Sequence, residues 1–436
     1  MNIFLDTIGC RLNQSEIESI ANTFRALGHQ IVGDPAEADL AIVNTCAVTV
    51  KAAADSRKQL RHAARAGAGK VIATGCWATL YPDEALGLDA VDEIVLNDQK
   101  DHLVADFLGL PAADVAALPL VREPLPGDRA RTRAFIKVQE GCNSHCTYCV
   151  TTLARGRSQS RPLDAVQADI RAAITGGTQE VVLTGVELGA WGKDLSPALG
   201  LSDLIAAVLQ NSDLHRLRLS SIEPWDFDPP MLALWQDERL CHHLHIPLQS
   251  GNDRVLRAMG RAMKSVGYAR LIATIRKAIP DVAITTDVIA GFPGETDAEF
   301  EATRDFIRQM GFAGGHVFTY SPRPGTAAYK MKDQVERSVA KARNAELRQV
   351  FHALGLDYQK QFIGETLSVL WETHTETSPG TWLLSGLTGN YLRVYAPSDQ
   401  PLWNQISQVK IIGENRKRGG LKGSIELSEG KRVSSA

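Results

Sequence analysis

Three features of the 436 residues predict an α/β protein made of a parallel-sheet (Rossmann-like) domain, a partial (β/α)6 barrel and a small antiparallel β-barrel of OB-like type. Over the first hundred residues, short β-rich runs alternate with helical patterns, which implies parallel βαβ units. The alternation resumes from Ala134 and repeats six times. After a charged helical stretch over 332–362, the sequence becomes rich in Gly, Thr, Trp and aromatic residues in short alternating runs, the pattern of a small all-β unit. The length suits about three domains at roughly 150 residues each.

In the first domain, residues 1–110, strands are expected at 2–6, 40–44, 70–73 and, weakly, 93–96, with helices at 14–27 and 51–65. Cys10, Cys46 and Cys76 each follow one of the first three strands. The carboxyl ends of parallel strands lie side by side, so thiols distant in sequence converge at the edge where α/β sheets bind ligands. Residues 111–133 are rich in Pro, Ala and Arg, show little periodicity and read as a linker ending in Arg129-Ala-Arg-Thr-Arg133. The second domain, 134–362, has expected strands at 135–139, 180–184, 216–220, 243–247, 283–289 and 316–319. Helices at 163–174, 201–209, 230–236, 266–278 and 297–310 separate them, and the site of such a barrel lies at the strand C-termini. The third domain covers 363–428, with strand-like runs at 367–371 and 391–395, and a tail over 429–436 is expected to fray.

Composition excludes several classes. With 44% hydrophobic and 22% charged residues, collagen-like, disordered and coiled-coil readings fall away. There is no apolar run of 18 residues, and the N-terminus lacks the basic flank and apolar core of a signal peptide, so a cytoplasmic protein without a membrane segment is expected. Lys and Arg number 47 against 50 Asp and Glu, a net charge of −3, so nucleic-acid binding needs a local basic patch.

In a reducing compartment, seven Cys are metal ligands, catalytic thiols or buried apolar residues rather than a disulfide framework. They divide into Cys10, Cys46 and Cys76, the tight trio Cys142, Cys146 and Cys149, and Cys241 alone. Soft sulfur ligands select zinc, copper(I) or iron-sulfur clusters. A closed zinc site needs a fourth ligand, and the only close partner of the C-x3-C-x2-C trio is His145. Three thiolates on a four-iron cluster instead leave one iron open. Cys241 reads as a buried apolar residue, and His242, His243 and His245 read as structural.

The loop Gly141-Cys-Asn-Ser-His-Cys-Thr-Tyr-Cys149, following a strand, resembles the cluster loop of radical S-adenosylmethionine (SAM) enzymes, including the aromatic Tyr148 before the third Cys. The resemblance implies a [4Fe-4S] cluster whose free iron chelates SAM and whose electron splits the sulfonium to give a 5′-deoxyadenosyl radical. It also implies cofactor contacts at Gly176 and Gly177 with Glu180, at Ser220, Ser221 and Glu223, and at Gln249 within Ile246-Pro-Leu-Gln-Ser-Gly251. Thr7-x-Gly-Cys10-x-x-Asn-Gln14-x-Glu16, Asn44-Thr-Cys46 and Thr74-Gly-Cys76 look like the second-cluster domain of methylthiotransferases, and the C-terminal segment resembles a TRAM RNA-binding domain. By that resemblance Cys10, Cys46 and Cys76 hold an auxiliary [4Fe-4S] cluster that carries the sulfur to be delivered. Two clusters suit the chemistry, because an unactivated aromatic C–H cannot be replaced by C–S–CH3 through deprotonation.

Gly9-Cys-Arg-Leu-Asn-Gln14 and the run from Arg133 to Asn143 look closest to methylthiotransferases acting on N6-threonylcarbamoyladenosine beside the anticodon of tRNA. Val150-Thr-Thr152 departs from the aliphatic pair and Pro common in relatives. Isopentenyladenosine in tRNA and an aspartate of a ribosomal protein are the alternative substrates, and a non-catalytic iron-sulfur RNA-binding or electron-transfer protein is the alternative of another class. The resemblance further implies an electron donor such as a flavodoxin or ferredoxin. RNA contacts are expected at Arg155 and Arg157 of Ala154-Arg-Gly-Arg157 and at Arg416, Lys417 and Arg418, with Arg129, Arg131, Arg133, Arg161 and Lys422 as further candidates. Tyr391, Arg393 and Tyr395 are expected on one strand face that could stack unpaired bases.

Overall fold

Five parallel strands open the chain in the computed structural model, which describes residues 1–127, 130–227 and 229–426. β1 (Asn2–Thr7), β2 (Gln30–Val32), β3 (Leu40–Thr45), β4 (Lys70–Gly75) and β5 (Glu93–Val95) lie in the order β2-β1-β3-β4-β5. β2 has three residues, too short to leave a periodic signal, and was not expected. β3 is buried at all six positions, as a strand covered on both faces must be. Its alternate residues feed two cores: Leu40 and Ile42 pack with Ile17, Ile20 and Phe24 of helix α1 (Arg11–Ala26), while Ala41 and Val43 pack with Ala53, Leu60 and Ala63 of helix α2 (Val50–Ala66).

The barrel strands are β6 (Ala134–Lys137), β9 (Glu180–Thr184), β10 (Arg216–Leu219), β11 (His243–His245), β12 (Ala283–Ala290) and β13 (Gly314–Thr319). A two-residue antiparallel pair, β7 (Gln139–Glu140) and β8 (Gln159–Ser160), brackets the loop that carries the cysteine trio. Two parallel three-stranded sheets, joined by bridges Leu217–Leu240 and Ser221–His245, make one arc. Among the described residues β6 and β13 do not pair, so the arc is open, and α1 lies against β6. There the Ser15 hydroxyl accepts a hydrogen bond from the Lys137 amide at 2.9 Å. The expected linker is more structured than its composition suggests. It carries a helix, Ala112–Ala116, and the buried Arg122 guanidinium pairs with Glu18 of α1 at 2.8 Å.

A 24-residue helix, Arg337–Lys360, packs along β12 and β13 and leads to the third domain. There β14 (Thr366–Ser378), β15 (Thr381–Thr388), β16 (Arg393–Ser398), β17 (Ile406–Glu414) and β18 (Leu421–Ile425) close into a barrel around Val369, Trp371, Leu384, Val394 and Val409. Tyr391 is not on a strand face with Arg393 and Tyr395. It sits in the turn before β16 at φ +65°, and its ring stacks on His243 with centroids 4.0 Å apart. This turn seals the barrel where the strands begin. Arg218 donates to the carbonyls of Thr388 and Gly389 at 3.0 Å each, and Arg216 donates to that of Leu387 at 3.0 Å. The expected tail, 429–436, and Arg129 lie outside the described residues. No helix among the described residues is long and apolar enough to cross a membrane.

Candidate active site between two thiol clusters

The first trio assembles from three strand ends. Cys10 precedes α1 directly after β1, Cys46 follows β3, and Cys76 opens helix α3 (Cys76–Leu80) after β4. Glycine makes the approach possible. Gly9 has φ +113°, and a Cβ there would lie 2.8 Å from the Cys46 sulfur. Gly75, at φ +93°, would place a Cβ 2.4 Å from the Thr45 carbonyl. Asn13 ties the loops together, donating to the Ile8 and Thr45 carbonyls at 2.9 and 3.0 Å and accepting from the Cys10 thiol at 3.5 Å. Burial pushes the Cys46 thiol up to about 11, so binding a cation there releases a proton.

Arg155, expected to contact RNA, is instead buried against this trio. Its Nε donates to the Cys76 sulfur at 3.2 Å, and Nη2 donates to Asn13 at 2.6 Å. Nη1 pairs with Glu16 at 2.8 Å and Glu140 at 2.6 Å, and Lys100 joins Glu16 at 2.8 Å. Burial raises the Glu16 carboxyl, but Lys100 and Arg155 outweigh it and hold the group well below the ordinary carboxylate range. A cation this deep needs acid partners, and that requirement, rather than a phosphate, explains its place in Ala154-Arg-Gly-Arg157. Arg157, two residues on, is exposed, as are Arg416, Lys417 and Arg418 in the turn between β17 and β18.

The second trio lies on the loop after β6, at the C-terminal end of the barrel strands. The Gly260 backbone packs so closely beneath it that a Cβ would meet the His145 carbonyl at 2.7 Å. Glu187, at the end of β9, accepts from the Cys142 thiol at 3.2 Å and the Ser144 hydroxyl at 2.8 Å. Burial and Glu187 push the Cys142 thiol up to about 12. Arg261 spans the other side, pairing with Glu223 at 2.5 Å, lying 4.6 Å from the Trp225 ring and 3.7 Å from the Cys146 sulfur. Burial raises the Glu223 carboxyl, against the pull of Arg261.

Beside the barrel trio, where the two domains meet, lies a cavity of about 200 Å³, lined by Tyr148, Cys149, Gln249 and Arg323 of the barrel and by Val48 and Thr49, which follow Cys46 in the first domain. Gln249 holds a left-handed backbone, φ +69°, and exchanges hydrogen bonds with Asp287 and Ile289 at 2.8 and 3.0 Å. Ser220 and Ser221 follow β10 at the same end, and the Ser220 hydroxyl is buried with no partner among the described residues. That orphaned hydroxyl and a loop of three thiols fit a four-iron cluster with a bound cofactor better than a closed four-ligand metal site. Cys241, two residues before β11, is buried near Arg218 and Glu180 and offers no fourth sulfur.

Gly176, Gly177 and Glu180 are not brought to this end. They lie where β9 begins, under the barrel, where the Gly177 carbonyl accepts from Asn404 of the third domain at 2.9 Å and Glu180 pairs with Arg218 at 2.7 Å. Against its burial, Arg218 lowers the Glu180 carboxyl to about 2. The loop before a barrel strand faces away from the site, whereas the loop after it faces the site. Applied to Thr184-Gly-Val-Glu187, that rule finds Glu187; Arg261 left no signal of its own.

Residues 136–307 match the Radical SAM superfamily, and residues 2–97 match Uncharacterized protein family UPF0004. A solved structure of the radical SAM methyltransferase TsrM from Kitasatospora setae shares the fold, with a TM-score of 0.55 at 15% identity over 88% of this chain and 80% of that one. Fold and thiol loop together define a radical SAM enzyme, a class that uses a [4Fe-4S] cluster and SAM. The threonylcarbamoyladenosine tRNA methylthiotransferase MtaB of Thermotoga maritima is 36% identical over 89% of this chain and 90% of its own, and that of Bacillus subtilis 33% identical over 93% and 92%. The tRNA-2-methylthio-N(6)-dimethylallyladenosine synthase of Maricaulis maris is 33% identical over 98% of both chains. Within the radical SAM class, this chain belongs to the methylthiotransferase family.

Proposed function

We propose that the enzyme adds a methylthio group to C2 of N6-threonylcarbamoyladenosine beside the anticodon in tRNA. The observation that carries this reading is a cavity lined by Cys149 of one incomplete thiol trio and by Val48 and Thr49, which follow Cys46 of the other. An electron carrier has no use for two sites each short of a ligand. The names of the Thermotoga and Bacillus relatives, threonylcarbamoyladenosine tRNA methylthiotransferases, support the threonylcarbamoyl substrate.

In this reading Cys142, Cys146 and Cys149 hold the cluster that binds SAM, and Cys10, Cys46 and Cys76 hold the auxiliary cluster. When bound, the first cluster and SAM supply a hydrogen-abstracting radical, and the second supplies sulfur. The chain's own residues orient and shield. Glu187 and Arg261 fix the loop from two sides, while Tyr148, Ser220, Ser221, Glu223 and Gln249 face the cofactor. Arg155 neutralises charge at Cys76 and joins the two domains at their shared wall. Arg157 and the exposed Arg416, Lys417 and Arg418 are the phosphate contacts.

Nucleoside analysis of tRNA from cells lacking the gene tests the reading. Threonylcarbamoyladenosine should appear without its methylthio group, and an unchanged profile rejects the assignment.

A further inference from the structure

Beside the cavity lies a groove of about 260 Å³ between β11–β13, the first domain and the Tyr391 turn. Asp287 links the two: the residue lines the cavity, and its two carboxylate oxygens take His245 Nε2 at 3.3 Å and His316 Nδ1 at 3.2 Å, both residues lining the groove. From the first domain comes Arg11, the residue after Cys10, half-buried and donating to the Tyr391 hydroxyl at 3.0 Å. No carboxylate pairs with Arg11 among the described residues, and the cations Arg133 and Arg218 act on it from nearby. The other arginine of the groove, Arg393, is satisfied by Glu372 at 2.6 Å. Asp287 holds His316 above the ordinary imidazole range, and the ring's Nε2 makes no hydrogen bond among the described residues.

A desolvated guanidinium without an acid is costly unless an anion arrives to meet it. We propose that this groove is an anion subsite in which Arg11 and His316 receive the carboxylate of the substituent on N6 of the substrate adenosine. The inference rests on the threonylcarbamoyl reading above. With C2 facing the thiol trios, the bond to N6 diverges from the reacting C–H and carries its substituent toward the cavity wall. A threonylcarbamoyl group ends in a carboxylate that a guanidinium binds through two parallel hydrogen bonds. A dimethylallyl group would leave Arg11 unpaired, and a site built for a polar group rejects analogues that lack it far more strongly than an apolar pocket rejects an extra methylene.

The test uses the cluster-loaded enzyme and anticodon stem-loop RNAs carrying at N6 a threonylcarbamoyl group, its carboxamide counterpart or a dimethylallyl group. Both kcat/KM and binding by fluorescence anisotropy are read. The wild type should prefer the carboxylate over the carboxamide by roughly tenfold or more. Arg11→Gln and His316→Phe should each lose a similar factor on the carboxylate RNA, mainly in KM, with little further loss on the carboxamide. Arg11→Lys should recover part of it. His316 lies at the surface, so its variant remains informative if Arg11→Gln fails to load iron. Equal weakening of carboxylate and carboxamide RNAs by Arg11→Gln would mean a backbone phosphate contact and overturn the subsite. Modification of threonylcarbamoyl RNA that is indifferent to both residues would overturn the subsite and leave the proposed function standing. Turnover of dimethylallyl RNA alone would reject the substrate reading and the subsite together.

Discussion

The two thiol trios reach the same end by opposite routes. Cys142, Cys146 and Cys149 sit within eight residues on one loop, so local chain geometry brings them together. Cys10, Cys46 and Cys76 span 67 residues and meet only because β1, β3 and β4 are neighbours in register. The strand-end trio also borrows Arg155 from the other domain, whereas the loop trio takes its supports, Glu187 and Arg261, from its own barrel. One site is written into a loop, and the other is a product of the fold.

The bluntest way to separate them is to empty each in turn. Reconstituted wild type should hold about eight irons per chain, and each triple Cys→Ala variant about four. Loss of the barrel trio should abolish both SAM cleavage and methylthiolation. Loss of the first-domain trio should abolish methylthiolation and spare cleavage to 5′-deoxyadenosine, read by chromatography. Retention of about eight irons in either variant would break the comparison.

Arg155→Gln probes the borrowed support. It leaves Glu16 and Glu140 short of a buried partner and should cost about 3–5 kcal/mol in denaturant unfolding. Iron should be lost selectively from the first-domain site. Equal loss from both would mean that the trios are not independent.

Glu180, remote from both trios, supplies a control. Its carboxyl is held near about 2 in the folded chain, below its unfolded value, so its contribution is full above about pH 4.3 and is lost as pH falls through the folded value. Glu180→Gln should remove on the order of 3 kcal/mol of the stability that the wild type loses over that acid window, leaving the share of the other depressed carboxylates such as Glu16 and Glu299, while iron content at neutral pH stays whole. Selective loss of one cluster would tie that pair to a thiol site.

The smallest effect is expected at the surface. Replacing Arg416, Lys417 and Arg418 with Ala should change stability by no more than about 0.5 kcal/mol, weaken RNA binding and flatten its salt dependence. Unaltered affinity would remove the turn from the RNA interface.

The same contrast explains what could be read from the sequence. The six barrel strands and four of the five first-domain strands announced themselves by alternation, and the loop trio by spacing. The first-domain trio was legible because strand ends converge by rule. Arg155 was misread because a cluster of arginines carries no mark of burial, and its acid partners, Glu16 and Glu140, are far away in sequence. Gly176, Gly177 and Glu180 were taken for cofactor contacts because the resemblance rested on the glycine pair itself, although the pair precedes its strand and so faces away from the site. Tyr391 was assigned to a strand face because alternation says nothing about a residue in the left-handed region.

The Tyr391 turn has a consequence for how the chain can be divided. Two arginines, Arg216 and Arg218, end on carbonyls of the third domain, and the Tyr391 ring covers His243. Cutting the chain after the long helix would therefore uncap the barrel floor and let water reach a buried charge cluster. The final β-unit is a stopper as well as the proposed handle for tRNA, so a shortened enzyme should fail as a catalyst before it fails to fold.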